Sequence, residues 1–301
     1  MRNLLSIESL SRDEILQILA LGGEMKATRG RHAAHPLRHR CWGMIFTKSS
    51  TRTRLSFEVG IRELGGDAIF LNANDLQLGR GEPIEDTARV MGRMLHGAVI
   101  RTHAQSDVET FAQASGLPTV NALTDDEHPC QVLADLFTIQ ELLGDWRGKT
   151  VCYLGDGACN VPLSWLWAAA RLSDFRLVIG APKKYQPPAE LLARLGPGAN
   201  VTCEEDPAAA ADGADVLYTD VWVSMGMEAD AAGRVADLRG YGIDDALVAR
   251  AKPGALVMHC LPAYRGKEIT AEVLEGNAAT IFTQAENRLH VQKAVLSLLA
   301  G

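Results

Sequence analysis

No apolar run in this 301-residue sequence reaches the length needed to span a bilayer. Excess basic charge is also missing. Thirty Lys and Arg stand against 37 Asp and Glu, for a formal charge of −7, so no global positive field exists to hold nucleic acid or an anionic membrane. An anionic ligand would have to be held by a local cluster. Cysteine is sparse: Cys41, Cys130, Cys152, Cys159, Cys203 and Cys260 are scattered without paired metal-ligand spacing, and they read as reduced thiols. No internal repeat and no long low-complexity linker interrupts the chain. The opening segment reaches Glu8 before a signal-peptide core could form, which leads to the expectation of a cytoplasmic protein.

What is there is ordinary globular material, 47% apolar and 22% charged. At 301 residues the chain exceeds the size at which a single core usually stops growing, so two α/β domains are expected. Strand-like runs at Cys41 to Phe46, Ala68 to Leu71, Gly97 to Ile100 and Pro118 to Ala122 alternate with helical patterns, the signature of an open parallel sheet with helices on both faces. From Pro129 to Leu143, the apolar residues Val132, Leu133, Leu136, Ile139 and Leu142 form a helical stripe that Gly144 ends. The first domain is therefore drawn over residues 1–143 and the second over 144–285. The second contains strand candidates Val151 to Leu154, Leu177 to Ile179, Val216 to Tyr218, Leu256 to Met258 and Thr280 to Phe282, with an Ala-rich helix around Ala208 to Ala211. Glu286 to Leu299 is again helical, but its period does not say which domain it packs on.

Ligands of open α/β sheets bind beyond the carboxyl ends of the strands, so polar clusters there carry more information than clusters elsewhere. After the first strand comes Ser49-Ser50-Thr51-Arg52-Thr53-Arg54, opening a helix. A helix N-terminus with hydroxyls and guanidinium groups suits a phosphate dianion; a plain cap on a surface helix is the bland alternative. Arg101-Thr102-His103 and His128-Pro129-Cys130-Gln131 follow two further strands, although an isolated Arg or His in such a place is more often solvated or a satisfied loop residue.

In the second half, Asp220 to Gly226 and His259-Cys260-Leu261-Pro262 stand after strands. Acid and thiol together suit an amine substrate that must lose a proton, whereas each alone could be a cap or a small buried hydrophobe. The loop Gly155-Asp156-Gly157-Ala158-Cys159-Asn160 invites comparison with a dinucleotide fingerprint. It fails that comparison, because Asn160 takes the third glycine position and no acidic residue follows the next strand.

In their order and spacing, Ser50-Thr51-Arg52-Thr53-Arg54, Arg101, His128-Pro129-Cys130-Gln131, Asp220 with Ser224-Met225-Gly226, and His259-Cys260-Leu261-Pro262 resemble the ornithine carbamoyltransferases. The likeness extends to Gln77-Leu78-Gly79-Arg80-Gly81-Glu82-Pro83 and Ala285-Glu286-Asn287-Arg288. It implies two-domain subunits in a homotrimer or a multiple of trimers, with a carbamoyl phosphate domain first and an ornithine domain second. The C-terminal helix, 286–301, would return to the first domain.

Ser50, Thr51, Arg52, Thr53 and Arg101 would then hold the phosphate, and His128, Gln131 and Arg288 the carbamoyl group. Gln77 would reach into a neighbouring subunit's site. Asn160, Asp220, Ser224 and Met225 would hold L-ornithine, with Cys260 and Leu261 beside the reacting amine and a cis Leu261-Pro262 bond. Cys159, Met227 and Tyr264 depart from the family's usual Asn, Gln and His. No metal and no organic cofactor is implied, and the catalytic set is expected to be Arg101, His128, Asp220 and Cys260. Transfer to aspartate or to an acylated ornithine, and a catalytically silent scaffold, are the competing expectations; a nicotinamide oxidoreductase is disfavoured by the broken fingerprint.

Overall fold

A computed structural model describes residues 1–72, 81–224 and 228–301. Gln77 and Met225, together with Met227, lie outside the described residues. The chain divides into two compact units, Met1–Phe137 with Glu286–Gly301, and Thr138–Ala285.

The first unit opens with helix α1 (Arg12–Ala27), started by a capping box in which the Ser11 hydroxyl accepts from the Glu14 N–H at 3.2 Å and the Glu14 carboxylate from the Ser11 N–H at 2.9 Å. Strands β1 (Cys41–Phe46), β2 (Asp67–Asn72), β3 (Gly97–Arg101) and β4 (Thr119–Leu123) then form a parallel sheet in the order β2-β1-β3-β4. Helices α2 (Thr51–Glu63), α3 (Ile84–Met91) and α4 (Gln105–Ser115) supply the crossovers.

Side chains alternate faces along a strand, and β2 shows how both faces are covered. Leu71 packs on the cluster of Ile45, Ala98 and Ile100 with Ala88 of α3 and Phe111 of α4. Its neighbour Phe70 points the other way, under the Arg54 guanidinium of α2 at 3.8 Å. Leu55, paired with Val59 by helical spacing, is exposed; the buried face of α2 is instead Thr53, Ser56, Phe57, Gly60 and Ile61.

Helix α5 spans Pro129–Leu143, as the apolar stripe requires. The second unit holds β5 (Thr150–Leu154), β6 (Arg176–Gly180), β7 (Val201–Glu204), β8 (Val216–Thr219) and β9 (Leu256–His259), all parallel, in the order β7-β6-β5-β8-β9. Its helices are α6 (Asn160–Leu172), α7 (Ala189–Arg194), α8 (Pro207–Ala211), α9 (Ala231–Leu238), α10 (Asp245–Val248) and α11 (Ala271–Gly276). Cys152 and Leu154 face Ala211, Leu247 and Val273 from α8, α10 and α11. On the opposite face Tyr153 stacks on Tyr218 at 5.8 Å, and Trp165 of α6 closes edge-on at 6.1 Å.

One expected strand is wrong. Thr280 to Phe282 lies inside the 23-residue helix α12 (Ala278–Ala300), with Ile281 buried and Phe282 exposed. Three residues are too few to set a period, and the long helical run around them decides the backbone. The strand β7 was not anticipated: Val-Thr-Cys-Glu is a short, half-exposed edge strand with no apolar run to mark it. Residues 286–300 of α12, with Gly301, belong to the first unit. Among the described residues no helix is long and apolar enough to cross a membrane.

Candidate active site

In the first sheet the strand order reverses between β1 and β3, so the crevice for a ligand opens at their carboxyl ends. Phe46 and Arg101, the last residues of the two strands, are in register. The loop leaving β1 is pinned there: the Thr47 N–H donates to the Arg101 carbonyl at 2.9 Å, and buried Lys48 pairs with Asp125. Ser50 is extended at φ −162° and caps α2, its hydroxyl accepting the Thr53 N–H at 3.2 Å. The N–H groups of Thr51 and Arg52 have no intrahelical acceptor by construction, and the first turn of α2 contains no acidic residue to compete with an anion.

Around this helix start stand three buried groups, Arg101, His128 and Arg288. Arg288, on α12, donates to the Thr53 hydroxyl at 2.9 Å. Burial, reinforced by the Arg288 and Arg101 guanidiniums, holds His128 well below the usual histidine range. At neutral pH His128 is therefore an uncharged imidazole, fit to donate a hydrogen bond and unfit to carry a spare proton.

Gln131, one turn into α5, donates its amide to Asp135 Oδ1 at 2.8 Å. That fixes the amide orientation and leaves the Gln131 carbonyl oxygen buried with no partner, an acceptor suited to an amide N–H. Cys130 next to it is inert: burial pushes its thiol up to about 12, and Sγ donates to the Asn121 carbonyl at 3.4 Å.

The second sheet reverses between β5 and β8, and the remaining candidates collect at those strand ends. The loop after β5 needs its glycines for packing. Gly155 has φ +130°, and a Cβ on Gly157 would lie 2.4 Å from the Ile179 side chain. Asp156 in this loop accepts the Ala158 N–H at 3.0 Å and pairs with partly buried Arg234, which also donates to the Trp222 carbonyl at 2.7 Å. Asn160 opens α6. Cys159, where the family usually has Asn, is a buried thiol that burial keeps protonated, donating to the Asp156 carbonyl at 3.2 Å.

Asp220 follows β8 directly, and Cys260 follows β9. The Cys260 thiol donates to Asp220 Oδ1 at 2.8 Å, and the Val221 N–H reaches the same oxygen at 2.7 Å. Burial raises the Asp220 pKa, against the lowering effects of His259, Cys260 and Val221.

Behind the thiol, buried His259 accepts the Leu261 N–H on Nδ1 at 2.8 Å and faces buried Glu268 through Nε2 at 3.4 Å. The His259 backbone N–H donates to Gln284 Oε1 at 2.9 Å. Ligand-type atoms of Asp220, His259 and Cys260 lie within 4.8 Å of one another; the Cys260 thiol is bonded to Asp220, while both ring nitrogens of His259 are engaged by Leu261 and Glu268. Leu261 adopts φ +57°, and Leu261-Pro262 is cis. Ser224 is half-buried at the edge of the described segment.

The described candidates from Ser50 to Gln131 and from Asn160 to Leu261 thus lie at the ends of strands or in the loops and helix starts that follow them, and Arg288 comes from α12 onto Thr53. Glu268, Gln284 and Arg234 were not anticipated, and no local pattern marks any of them.

Residues 2–141 match the model of the aspartate/ornithine carbamoyltransferase carbamoyl-P binding domain, and residues 147–299 match that of the Asp/Orn binding domain. The chain belongs to the aspartate/ornithine carbamoyltransferase family. A family protein from Akkermansia muciniphila named ornithine carbamoyltransferase is 55% identical, with 100% of this chain and 98% of the relative covered. The anabolic ornithine carbamoyltransferase of Pseudomonas aeruginosa is 48% identical over 99% of this chain and 97% of its own length. Among solved family structures, the Pyrococcus furiosus ornithine carbamoyltransferase superposes with a TM-score of 0.92 at 41% identity, covering 100% of this chain and 97% of that one. The carbamoyl-P binding match contains the Ser50–Thr53 helix start, Arg101, His128 and Gln131; the Asp/Orn binding match contains Asn160, Asp220, Cys260 and, near its end, Arg288.

Proposed function

We propose that the chain transfers the carbamoyl group of carbamoyl phosphate to the δ-amine of L-ornithine, giving L-citrulline and phosphate. The observation that carries the reading is the Cys260 thiol donating to the buried Asp220 carboxylate at 2.8 Å at the switch point of the second sheet. A buried acid coupled to a thiol attracts an ammonium group and offers its proton a destination. It would repel the second carboxylate of aspartate. The names of the Akkermansia and Pseudomonas relatives support the same acceptor.

In this mechanism the phosphate of the donor rests on Ser50, Thr51, Arg52, Thr53 and Arg101. His128 donates to the carbamoyl oxygen, Gln131 accepts from the carbamoyl NH2, and Arg288 holds the carbamoyl end beside Thr53. Asn160, Ser224 and Met225 hold the amino-acid end of ornithine, and Leu261 lies beside its reacting amine. The δ-ammonium gives up a proton toward Asp220 and Cys260, and the freed lone pair bonds to the carbamoyl carbon. Positive charge from Arg101 with the neutral His128 donor offsets the oxyanion of the tetrahedral intermediate. The bond between the carbamoyl carbon and the bridging oxygen then breaks, and phosphate leaves with that oxygen, the electron pair and the nitrogen's second proton. No residue in this scheme calls for a metal or an organic cofactor.

The working assembly is a homotrimer or a multiple of one, with Gln77 directed to a neighbouring subunit. Exposed Leu55, Ile69, Val90 and Met94 on the first unit offer apolar surface for such association, which sedimentation would measure. The activity itself is tested by supplying carbamoyl phosphate with ornithine, aspartate or N-acetylornithine in parallel and measuring the ureido product and phosphate. Turnover with ornithine alone is expected. Turnover with another acceptor instead would reassign the substrate, and phosphate release with none would leave a silent binding protein.

A further inference from the structure

Lysine is among the residues least often buried whole, yet the side chain of Lys293 on α12 has no exposed surface. Its ammonium donates to Glu63 Oε2 at 2.6 Å, on the last residue of α2, and to His32 Nε2 at 2.9 Å, in the segment after α1. The tautomer of His32 follows from its other neighbour. The Thr28 hydroxyl spends its only hydrogen on the Glu24 carbonyl at 2.7 Å, so toward His32 Nδ1, at 3.0 Å, it must accept. Nδ1 therefore carries the proton, and Nε2 presents a bare lone pair to Lys293.

The backbones close in around this seat. A Cβ on Gly60 of α2 would meet the Lys293 side chain at 3.2 Å, and one on Gly22 of α1 would meet Val291 at 3.3 Å. About one and a half turns before Lys293 on the same helix is Arg288, which donates to Thr53 at the opposite end of α2. Helix α12 thus grips α2 near both ends, through Arg288 on Thr53 and through Lys293 on Glu63.

We propose that Lys293, seated on Glu63 and His32, is a positioning residue for the carbamoyl phosphate site: it fixes α12 on α2, holds Arg288 against Thr53, and loosens when His32 takes up a proton. The inference rests on the reading of Thr53 and Arg288 as donor-site residues. The groups facing His32 are Lys293 from α12, Glu63 from α2 and His35 in its own segment; Arg29, in the turn after α1, is bonded to Glu63 at 3.1 Å, and His290 sits on α12 beside Lys293. Only Glu63 favours a charged imidazole. A proton on Nε2 would turn an acceptor for Lys293 into a second cation. Burial and the Lys293 charge hold His32 below the usual histidine range, so the seat is intact at neutral pH and weakens on the acid side.

The test is steady-state kinetics with carbamoyl phosphate varied at saturating ornithine, together with calorimetric binding of inorganic phosphate, across about pH 5.5 to 8. Lys293→Met should raise the carbamoyl phosphate KM roughly tenfold and weaken phosphate in parallel, with kcat and the ornithine KM little changed. His32→Gln keeps an acceptor for Lys293 that does not titrate, so it should match the wild type at neutral pH and lose the part of the acid-side weakening that His32 causes. His32→Leu, lacking the acceptor, should raise the donor KM at every pH.

Unchanged donor KM and phosphate affinity in Lys293→Met and His32→Leu would overturn the proposal, as would an acid-side profile in His32→Gln identical to the wild type. If circular dichroism shows Lys293→Met unfolded, the comparison of His32→Gln with wild type decides. A wild type that binds phosphate with the expected pH profile but makes no citrulline would count against the proposed reaction, not against the Lys293 seat.

Discussion

Asp220→Asn should move stability and turnover in opposite directions. Asp220 Oδ1 accepts the Cys260 thiol at 2.8 Å and the Val221 N–H at 2.7 Å, and an asparagine carbonyl oxygen can accept both from the same place. The substitution removes little but the charge. Burial is the main reason the carboxyl titrates above the usual aspartate value of 3.8. Because the folded value is raised, the acid's contribution to stability is full below the unfolded value and is lost as pH rises through the folded one. At neutral pH the wild type therefore carries a penalty that asparagine lacks.

A gain of about 1 kcal/mol is the usual size for relieving such a functional penalty, and about 2–4 °C in Tm for a domain of this length. The gain should shrink toward zero as the buffer approaches pH 3.8, where the wild-type acid is itself protonated. Turnover should fall by about 10²- to 10⁴-fold, the range for removing a positioned proton acceptor. Thermal melts at neutral and acidic pH beside steady-state kinetics read both. A lower Tm at neutral pH, or a kcat within tenfold of wild type, would refute the reasoning.

Cys260→Ser keeps a donor for Asp220 but removes an ionisable thiol, so kcat should fall about 10²-fold while the carbamoyl phosphate KM holds; a dominant rise in that KM would move Cys260 out of the acceptor site. His128→Asn preserves a neutral N–H donor and should stay within about tenfold of wild type, whereas His128→Leu should lose about 10²- to 10³-fold in kcat. An acid limb in the wild-type kcat that vanishes in His128→Asn would show that the imidazole titrates in the working range after all. Arg52→Ala should raise the carbamoyl phosphate KM roughly 10- to 100-fold, the loss of one charged hydrogen-bond partner, with the ornithine KM as the internal control.

The sheets and their strand-end chemistry were legible because both follow local rules. Cys41 to Phe46 is an uninterrupted apolar run that becomes a strand buried nearly throughout, and Ser50 caps the helix that its sequence announces. Where the local signal is short, the reading fails: Thr280 to Phe282 looks like a strand and is helix, while β7 gives no sign in the sequence. Contacts between distant residues are a different matter. The seat of Lys293 joins positions 32, 63 and 293, and the His259–Glu268 pair is set by a loop that folds back on a buried ring. Neither spacing has a period, so only the assembled fold displays them.

Both sheets are parallel and reverse their strand order at one internal switch point, and the strand ends there carry opposite chemistry. In the first unit the switch point gathers a helix start without acids, two buried arginines and an imidazole kept neutral by burial and, secondarily, by those arginines. In the second, the equivalent place gathers a buried carboxylate and a thiol. A chain of formal charge −7 can therefore take up a dianion, because Coulomb attraction in a poorly solvated crevice depends on the few charges that line it and little on the distant sum. The same locality explains why the acceptor cluster can stay acidic within the same polypeptide. Arg288 is the sharpest case: it comes last in sequence among the proposed site residues, after every strand of the second sheet, yet α12 returns it to Thr53 in the first unit. Truncation before residue 286 removes Arg288 and Lys293 from α2, so on the proposed donor site it should sharply weaken carbamoyl phosphate binding even where the first sheet still folds.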